Sequence, residues 1–187
     1  MKEEQLEKVR EIALLYLHTP IEKTSSELVV SHPFTSSNIV ASKDMRFLDL
    51  YVPSERQIWE EQMEEWIKKS SLEQIYAFLD KRYFFSFLNH TEEYLNAKMM
   101  AKVLACRWQQ LEYISNNEVA STHKILKWFH FADKKELMDE EEYQKFLNLP
   151  EKITIYRGVS GYNKRYKKAV SWTLNKEQAA VSYTHLR

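Results

Sequence analysis

The stretch Ile153-Thr154-Ile155-Tyr156-Arg157-Gly158 marks a change in the character of this 187-residue chain. Its β-branched residues alternate with a period of two, which predicts a strand. Gly158 is the first glycine of the sequence, and Gly161 is the second and last. Because tight turns with positive φ favour glycine, we expect helices joined by polar loops before this stretch and a different architecture after it.

The charge balance changes at the same place. Residues 1–150 contain 19 Lys and Arg against 25 Asp and Glu, whereas residues 151–187 contain 8 against 2. The two parts therefore carry net charges of −6 and +6, and the whole chain has a formal net charge of zero. We predict a boundary near Pro150, with a helical domain over 1–150 and the start of a second domain over 151–187. A neutral chain also argues against nucleic acid as the partner.

The first part reads as a succession of amphipathic helices. Residues 3–18 place Leu6, Val9 and Ala13 on one face, and Thr19-Pro20 ends that helix. Five further helices follow from capping residues and apolar spacing: Ser54 to Lys69, Ser70 to Leu88, Thr91 to Ser115, Ser121 to Phe131, and Asp139 to Leu149.

Residues 21–52, between the first two helices, have a less regular pattern. Leu28-Val29-Val30 predicts a short strand. Residues 31–42 contain Pro33 and several hydroxyl side chains, and this composition predicts a loop.

The second part has the predicted order strand, loop, strand, helix. The strands cover 153–156 and 169–173, a basic connection covers 160–168, and Asn175 with Gln178 predicts the start of a helix. The fold class is therefore α+β, with a mainly helical N-terminal region followed by the first strands of a β domain. Two strands and the start of a helix cannot bury a core of their own, so we expect either the helical part to complete this unit or residues to be missing.

Two motifs in the second part carry a family resemblance. Tyr156-Arg157-Gly158, and Ser171-Trp172-Thr173 with the helix start at 174–180, resemble ADP-ribosyltransferases of the arginine–serine–glutamate type, especially phage and bacterial members. In that family a strand ends in Arg-Gly, a later strand carries Ser-x-Ser/Thr, and a downstream glutamate completes the site. The resemblance covers about residues 152–180. It implies NAD as the substrate, no metal, a cytoplasmic protein of bacterial or phage origin, and an acceptor such as a protein side chain.

The resemblance also implies a set of NAD-binding residues. The fixed, always charged fork of Arg157 suits a diphosphate, and Gly158 lets the dinucleotide approach the backbone closely. Ser171 would support the nicotinamide ribose, and Thr173 would hold the same strand edge.

The family's catalytic glutamate has no counterpart at the expected position. Only 14 residues follow Thr173, and Glu177 falls in the first turn of the predicted helix, where a carboxylate favours the helix dipole. We therefore expect a truncated domain that is inactive as a transferase. The ending Ser-Tyr-Thr-His-Leu-Arg resembles translated sequencing-adapter sequence, so we expect residues 181–187 not to be native.

A second interpretation treats the chain as a non-enzymatic helical protein-interaction module. Arg157 is then a surface arginine in a turn, and Ser171 and Thr173 line the polar face of an edge strand. The basic stretch 163–168 suits phosphate or nucleic acid, and a loop above an NAD site explains it equally well. Eight aromatic residues could line a partner groove, although their helical spacing is more typical of a core: Trp59, Trp66, Tyr83, Phe84, Phe85, Phe87, Trp108 and Trp128.

Several other kinds of site are not predicted. His123 and His130 are seven residues apart and lack the partner that a zinc site needs. Cys106 is the single cysteine, so no intrachain disulfide can form, and its apolar neighbours predict an inert core thiol. The N-terminus, Met1 to Gln5, is acidic where a secretory signal would be basic, and no apolar run is long enough to cross a membrane.

Overall fold

A computed structural model describes residues 3–111, 119–158 and 172–184, and the fold is α+β. The helices are α1 (Glu3–Leu17), α2 (Pro53–Lys69), α3 (Leu72–Phe78), α4 (Phe84–Thr91), α5 (Ala97–Arg107), α6 (Thr122–Phe131), α7 (Lys134–Leu137), α8 (Glu140–Leu147) and α9 (Lys176–Thr184). The strands are β1 (Glu22–Lys23), β2 (Val29–His32), β3 (Thr35–Ser37), β4 (Ile39–Ala41) and β5 (Phe47–Asp49). Within these ranges no helix combines the length and apolarity that a membrane span requires.

The core of the molecule is one hydrophobic cluster built mainly by α1 to α6. Helix α1 buries Leu6, Val9, Ala13 and Leu17, which confirms the predicted apolar face. Helices α2 to α5 supply most of the remainder, and Phe34 and Leu48 join them from the strands. Burial of this apolar surface, rather than local helix propensity, is what stabilises such helices.

Residues 31–42 are not the loop that their composition predicts. Strands β1, β2 and β3 form one antiparallel sheet, and β4 and β5 form a hairpin. The predicted strand at 28–30 is confirmed in part, since β2 begins at Val29 and continues to His32. The β4–β5 hairpin turns without glycine because Met45 takes a positive φ of 62°. The expectation that glycine-free residues would form helices joined by polar loops is therefore wrong for this segment.

Three predicted helix starts are also wrong. Ser54 forms no cap, because α2 begins one residue earlier at Pro53. The capping box of α3 uses Ser71 and Gln74 rather than Ser70. Thr91 is buried within α4 and donates to the Phe87 carbonyl, so Asn96 caps α5.

The predicted helix from Ser70 to Leu88 is broken into two. Helix α3 ends at Phe78, and the main-chain N–H of Asp80 donates to the Pro33 carbonyl at 2.8 Å. A short 3-10 turn at Lys81–Tyr83 then leads into α4. The break depends on a contact with a residue 47 positions earlier in the sequence, which helical periodicity cannot reveal.

Two predicted caps are confirmed. The Ser121 side chain accepts from Lys124 N–H at the start of α6, and Asp139 with Glu142 forms a reciprocal capping box at α8. Helix α8 ends at Leu147, slightly before the predicted end.

Candidate functional site

The two motifs of the C-terminal part meet at one residue pair. Tyr156 N–H donates to the Thr173 carbonyl at 2.7 Å, and Thr173 N–H donates to the Tyr156 carbonyl at 2.9 Å. In the described parts of the predicted strands 153–156 and 169–173, the structure shows this antiparallel bridge, and residues 169–171 lie outside the described residues. Just before the bridge, Ile153 and Ile155 are 43% and 45% exposed.

Arg157 and Trp172 are next to the bridged residues in the sequence. Arg157 follows Tyr156 and Trp172 precedes Thr173, so both are attached directly beside the bridge. Arg157 and Gly158 are half-buried, whereas Trp172 is 45% exposed. Sequence reasoning did not single out Trp172, although the middle position of Ser-x-Thr could have suggested it.

Thr173 organises the turn that follows the bridge. Its hydroxyl accepts from Asn175 N–H and donates to Gln178 Oε1, both at 3.0 Å. Asn175 Oδ1 accepts from the N–H groups of Glu177 and Gln178, which confirms Asn175 as the cap of α9. The hydroxyl of Thr173 is thus engaged in the turn after the bridge and the start of α9.

The remaining predicted site residues have different outcomes. Glu177 is exposed in the first turn of α9, as the sequence predicted. Ser171, Gly161 and the basic stretch 163–168 lie outside the described residues.

A separate cavity of about 620 Å³ lies in the helical part. It is bounded by residues 34–36 and 40–43 of the strands, by one face of α2, and by the end of α3 with the residues after it. Four aromatic side chains line it: Phe34, Trp59, Trp66 and Phe78. Phe34 and Trp59 are buried in the core, whereas Phe78 is 51% exposed. The aromatic residues of α2 therefore serve both the core and this cavity.

Ionic contacts surround the cavity. Lys43 forms a salt bridge with Glu65, which also binds Lys69 at 2.6 Å. Hydrogen bonds from Lys43 and Lys69 lower the pKa of Glu65 to about 2. Burial acts to raise the pKa of Asp80, but the hydrogen bonds and charge of Arg82 outweigh it and hold that pKa below its ordinary value.

Arg107, on another side of the cavity, is held by main-chain oxygens. Its Nε donates to the Tyr76 carbonyl at 3.0 Å, one Nη donates to Gln110 Oε1 at 2.6 Å, and the other donates to the Leu79 carbonyl. These carbonyls belong to the last turn and C-cap of α3, where a positive charge is favourable to the helix dipole.

The cysteine and the histidines do not form a reactive site in the described part of the chain. Burial raises the pKa of Cys106 to about 11, and its Sγ lies 3.2 Å from the Val103 carbonyl, so it is a half-buried protonated thiol. No cluster of three potential metal-ligating side chains occurs among the residues described.

Comparison of this chain with protein-family models, curated proteins and solved structures finds no match.

Proposed function

We propose that residues 152–180 form the NAD-binding edge of an ADP-ribosyltransferase-type site, the first strands of that β domain. The observation that supports this most is the pair of main-chain hydrogen bonds between Tyr156 and Thr173. They join the Arg-Gly motif to the Ser-x-Thr motif, which are separated by a dozen residues in the sequence.

Each residue of this edge has a chemical task in the proposal. The Arg157 guanidinium binds the diphosphate through charge-assisted hydrogen bonds, and Gly158 admits the dinucleotide close to the backbone. Trp172, attached beside the same bridge as Arg157, offers an aromatic surface against which a planar ring of NAD stacks. Thr173 keeps the strand edge and the start of α9 in place.

Cleavage of the glycosidic bond requires more than this edge. The transition state resembles an oxocarbenium ion, and a carboxylate near the nicotinamide ribose stabilises its positive charge. Glu177 lies at the N-terminus of α9 and favours the helix instead. We therefore expect these residues to bind NAD without turning it over. The acceptor in the proposal is a protein side chain, and the compartment is the cytoplasm of a bacterial or phage-infected cell.

Calorimetric titration of NAD into the 187-residue chain tests the proposal. Arg157→Ala should weaken binding by about tenfold or more, because a hydrogen bond to a charged group contributes roughly 1.5–3 kcal/mol. Arg46→Ala, which removes an exposed arginine from the β4–β5 turn, is the matched control and should leave binding unchanged. Circular dichroism should show the same helical content for both variants. NAD binding that survives Arg157→Ala would contradict the proposal.

One observation favours the second candidate, a non-enzymatic helical interaction module. Helix α8 is amphipathic, yet none of its residues is buried, and Phe146 and Leu147 are exposed on it. Exposed apolar faces of this kind are typical of protein-binding surfaces. A wild-type chain that shows no saturable NAD binding would favour this module over the transferase-type site.

A further inference from the structure

The cavity between α2, the strands and the end of α3 is independent of the Tyr156–Thr173 bridge. We propose that it binds a planar aromatic small molecule that carries an anionic group. Its volume of about 620 Å³ falls within the roughly 300–1,000 Å³ that small-molecule sites occupy. Aromatic walls and an excess of positive charge define the class of ligand.

Two aromatic rings form a wall of the cavity. The ring centroids of Trp66 and Phe78 lie 4.9 Å apart with an interplanar angle of 47°. Phe78 is the last residue of α3, and half of its surface is exposed although its neighbour Leu79 is fully buried. A large apolar side chain held half-exposed at the edge of a cavity gains burial when a second ring packs against it.

The base of the cavity is apolar and close to the core. Trp59 and Met63 are both buried on α2, about two turns and one turn before Trp66, and Phe34 lines the cavity from the turn between β2 and β3. Trp59 is fixed from behind by His32, whose ring lies at 5.2 Å in an edge-to-face arrangement. A ligand ring would therefore meet a preformed surface and would not have to order these side chains on binding.

The charges around the cavity are predominantly positive. Lys43 and Arg107 both line it, and Asp80 is the carboxylate among the lining residues. Asp80 is already bound by Arg82, whose Nε and Nη2 each donate to it at 2.9 Å. Within the described residues Arg107 forms no salt bridge, because its donors go to carbonyl and amide oxygens. A negative group on the ligand would compensate this excess.

Lys43 is one of the two cations that line the cavity. Its main-chain N–H donates to Gln62 Oε1 at 3.1 Å, which ties the start of the β4–β5 turn to the middle of α2. Its ammonium shares Glu65 with Lys69, so two cations compete for one carboxylate. The side chain of Lys43 can therefore turn toward a bound anion without leaving Glu65 unpaired.

Two fluorescent probes of matched shape test the proposal. One is 1-anilinonaphthalene-8-sulfonate, an aromatic anion with a planar naphthalene ring, and the other is N-phenyl-1-naphthylamine, its uncharged counterpart. We expect saturable binding of the sulfonate at one site per chain, with energy transfer from the cavity tryptophans, and at least threefold weaker binding of the neutral probe.

Matched variants assign the site. Phe78→Ala should weaken both probes at least fivefold, whereas Phe131→Ala, which removes a phenylalanine that is 52% exposed at the end of α6, should change neither. Lys43→Gln should weaken the sulfonate alone, and Lys68→Gln, another exposed lysine paired with a glutamate of α2, should have no effect. Arg157→Ala should leave sulfonate binding unchanged, which separates this site from the NAD-binding edge.

Three results would overturn the proposal. Equal weakening by Phe131→Ala or by Phe146→Ser would show that the probes bind exposed apolar surface elsewhere. Equal affinity for the two probes would show that the site does not select a ligand with an anionic group. Absence of saturable binding to the folded wild-type chain would show that the cavity is not a ligand-binding site.

Discussion

The described residues up to 137 and those from 138 onward use the same local devices but differ in burial. The first region encloses a continuous core, whereas Ala179 is the single buried residue among the side chains described in the second region. Caps of comparable quality occur in both parts, at Ser121 and Asn96 in the first and at Asp139 and Asn175 in the second. The difference shows that a good cap begins a helix, while only a packed face makes that helix part of a cooperative unit.

The largest expected effect comes from removing a core ring. Phe87 is fully buried, and the centroid of its ring lies 5.0 Å from the ring centroid of Tyr16 and 5.0 Å from that of Tyr76. Phe87→Ala should lower the free energy of unfolding by about 3–5 kcal/mol, because it removes apolar contact and leaves a void. Urea unfolding followed by circular dichroism measures it. Phe146→Ala, on the exposed face of α8, is the comparison and should change that free energy by less than about 0.5 kcal/mol.

A pH effect of similar size should come from His32. The ring is fully buried, with Nε2 donating to the Leu17 carbonyl and Nδ1 accepting from Phe34 N–H, both at 3.1 Å, so it is satisfied as the neutral tautomer. Burial lowers its pKa from 6.5 to about 4. The unfolded chain therefore binds the proton first, and stability that is complete above pH 6.5 is lost as the pH falls toward 4, by up to about 3 kcal/mol.

Unfolding free energies measured between pH 7 and pH 4 for wild type and His32→Gln provide the test. The variant lacks the titrating ring, so its stability should fall less steeply over this window, with carboxylate titration common to both proteins. Parallel pH profiles would show that His32 titrates alike in the folded and unfolded chains.

Removing one helix cap from each region tests the comparison, and the larger expected change in the free energy of unfolding is about 1 kcal/mol. Ser121→Ala should lower the free energy of global unfolding by about that amount, because α6 places Ile125 and Trp128 in the core. Asp139→Ala removes the side-chain half of a reciprocal capping box from α8, which buries nothing. It should reduce helical content while leaving the urea midpoint unchanged. A shared shift of the midpoint would mean that α8 unfolds together with the core.

The smallest expected effect concerns the Thr173 hydroxyl. Thr173→Val keeps both main-chain bonds to Tyr156 and removes the hydroxyl contacts to Asn175 and Gln178. The free energy of global unfolding should change by no more than a few tenths of a kcal/mol, since the turn lies outside the core. Amide hydrogen exchange of Asn175 should become faster while that of Leu104 in α5 stays the same. Unchanged exchange at Asn175 would show that this hydroxyl does not support the turn.

Local patterns predicted the elements whose contacts are local. The face of α1, the caps at Ser121, Asp139 and Asn175, and the position of Glu177 all follow from residues within one or two turns of each other. The assignment of residues 152–180 to an ADP-ribosyltransferase-type site rests on motif chemistry and stays a proposal. Ser171, the first residue of the Ser-x-Thr motif, lies outside the described residues.

Errors arose where a distant segment decides the conformation. Thr91 has the chemistry of a cap, but its hydroxyl is buried and bonded to Tyr76 and the Phe87 carbonyl, so Asn96 begins α5 instead. The strands between β2 and β5 contain polar and turn-forming residues that read as a loop. These segments form strands instead, because they pair with one another and because Leu48 packs in the core.

The sequence by itself predicted an α+β chain, the position of most helices, and where composition and charge change, although most of its predicted strands lay in the C-terminal part and the observed sheets lie within 22–49. Those properties depend on hydrophobic spacing, capping chemistry and residue counts, which are all local or additive. The tertiary structure alone decided the break at Asp80, the strand pairing at 22–49 and the cavity that brings Phe34, Trp66 and Arg107 together. Each of these requires contacts between residues tens of positions apart, whose energies no local pattern encodes.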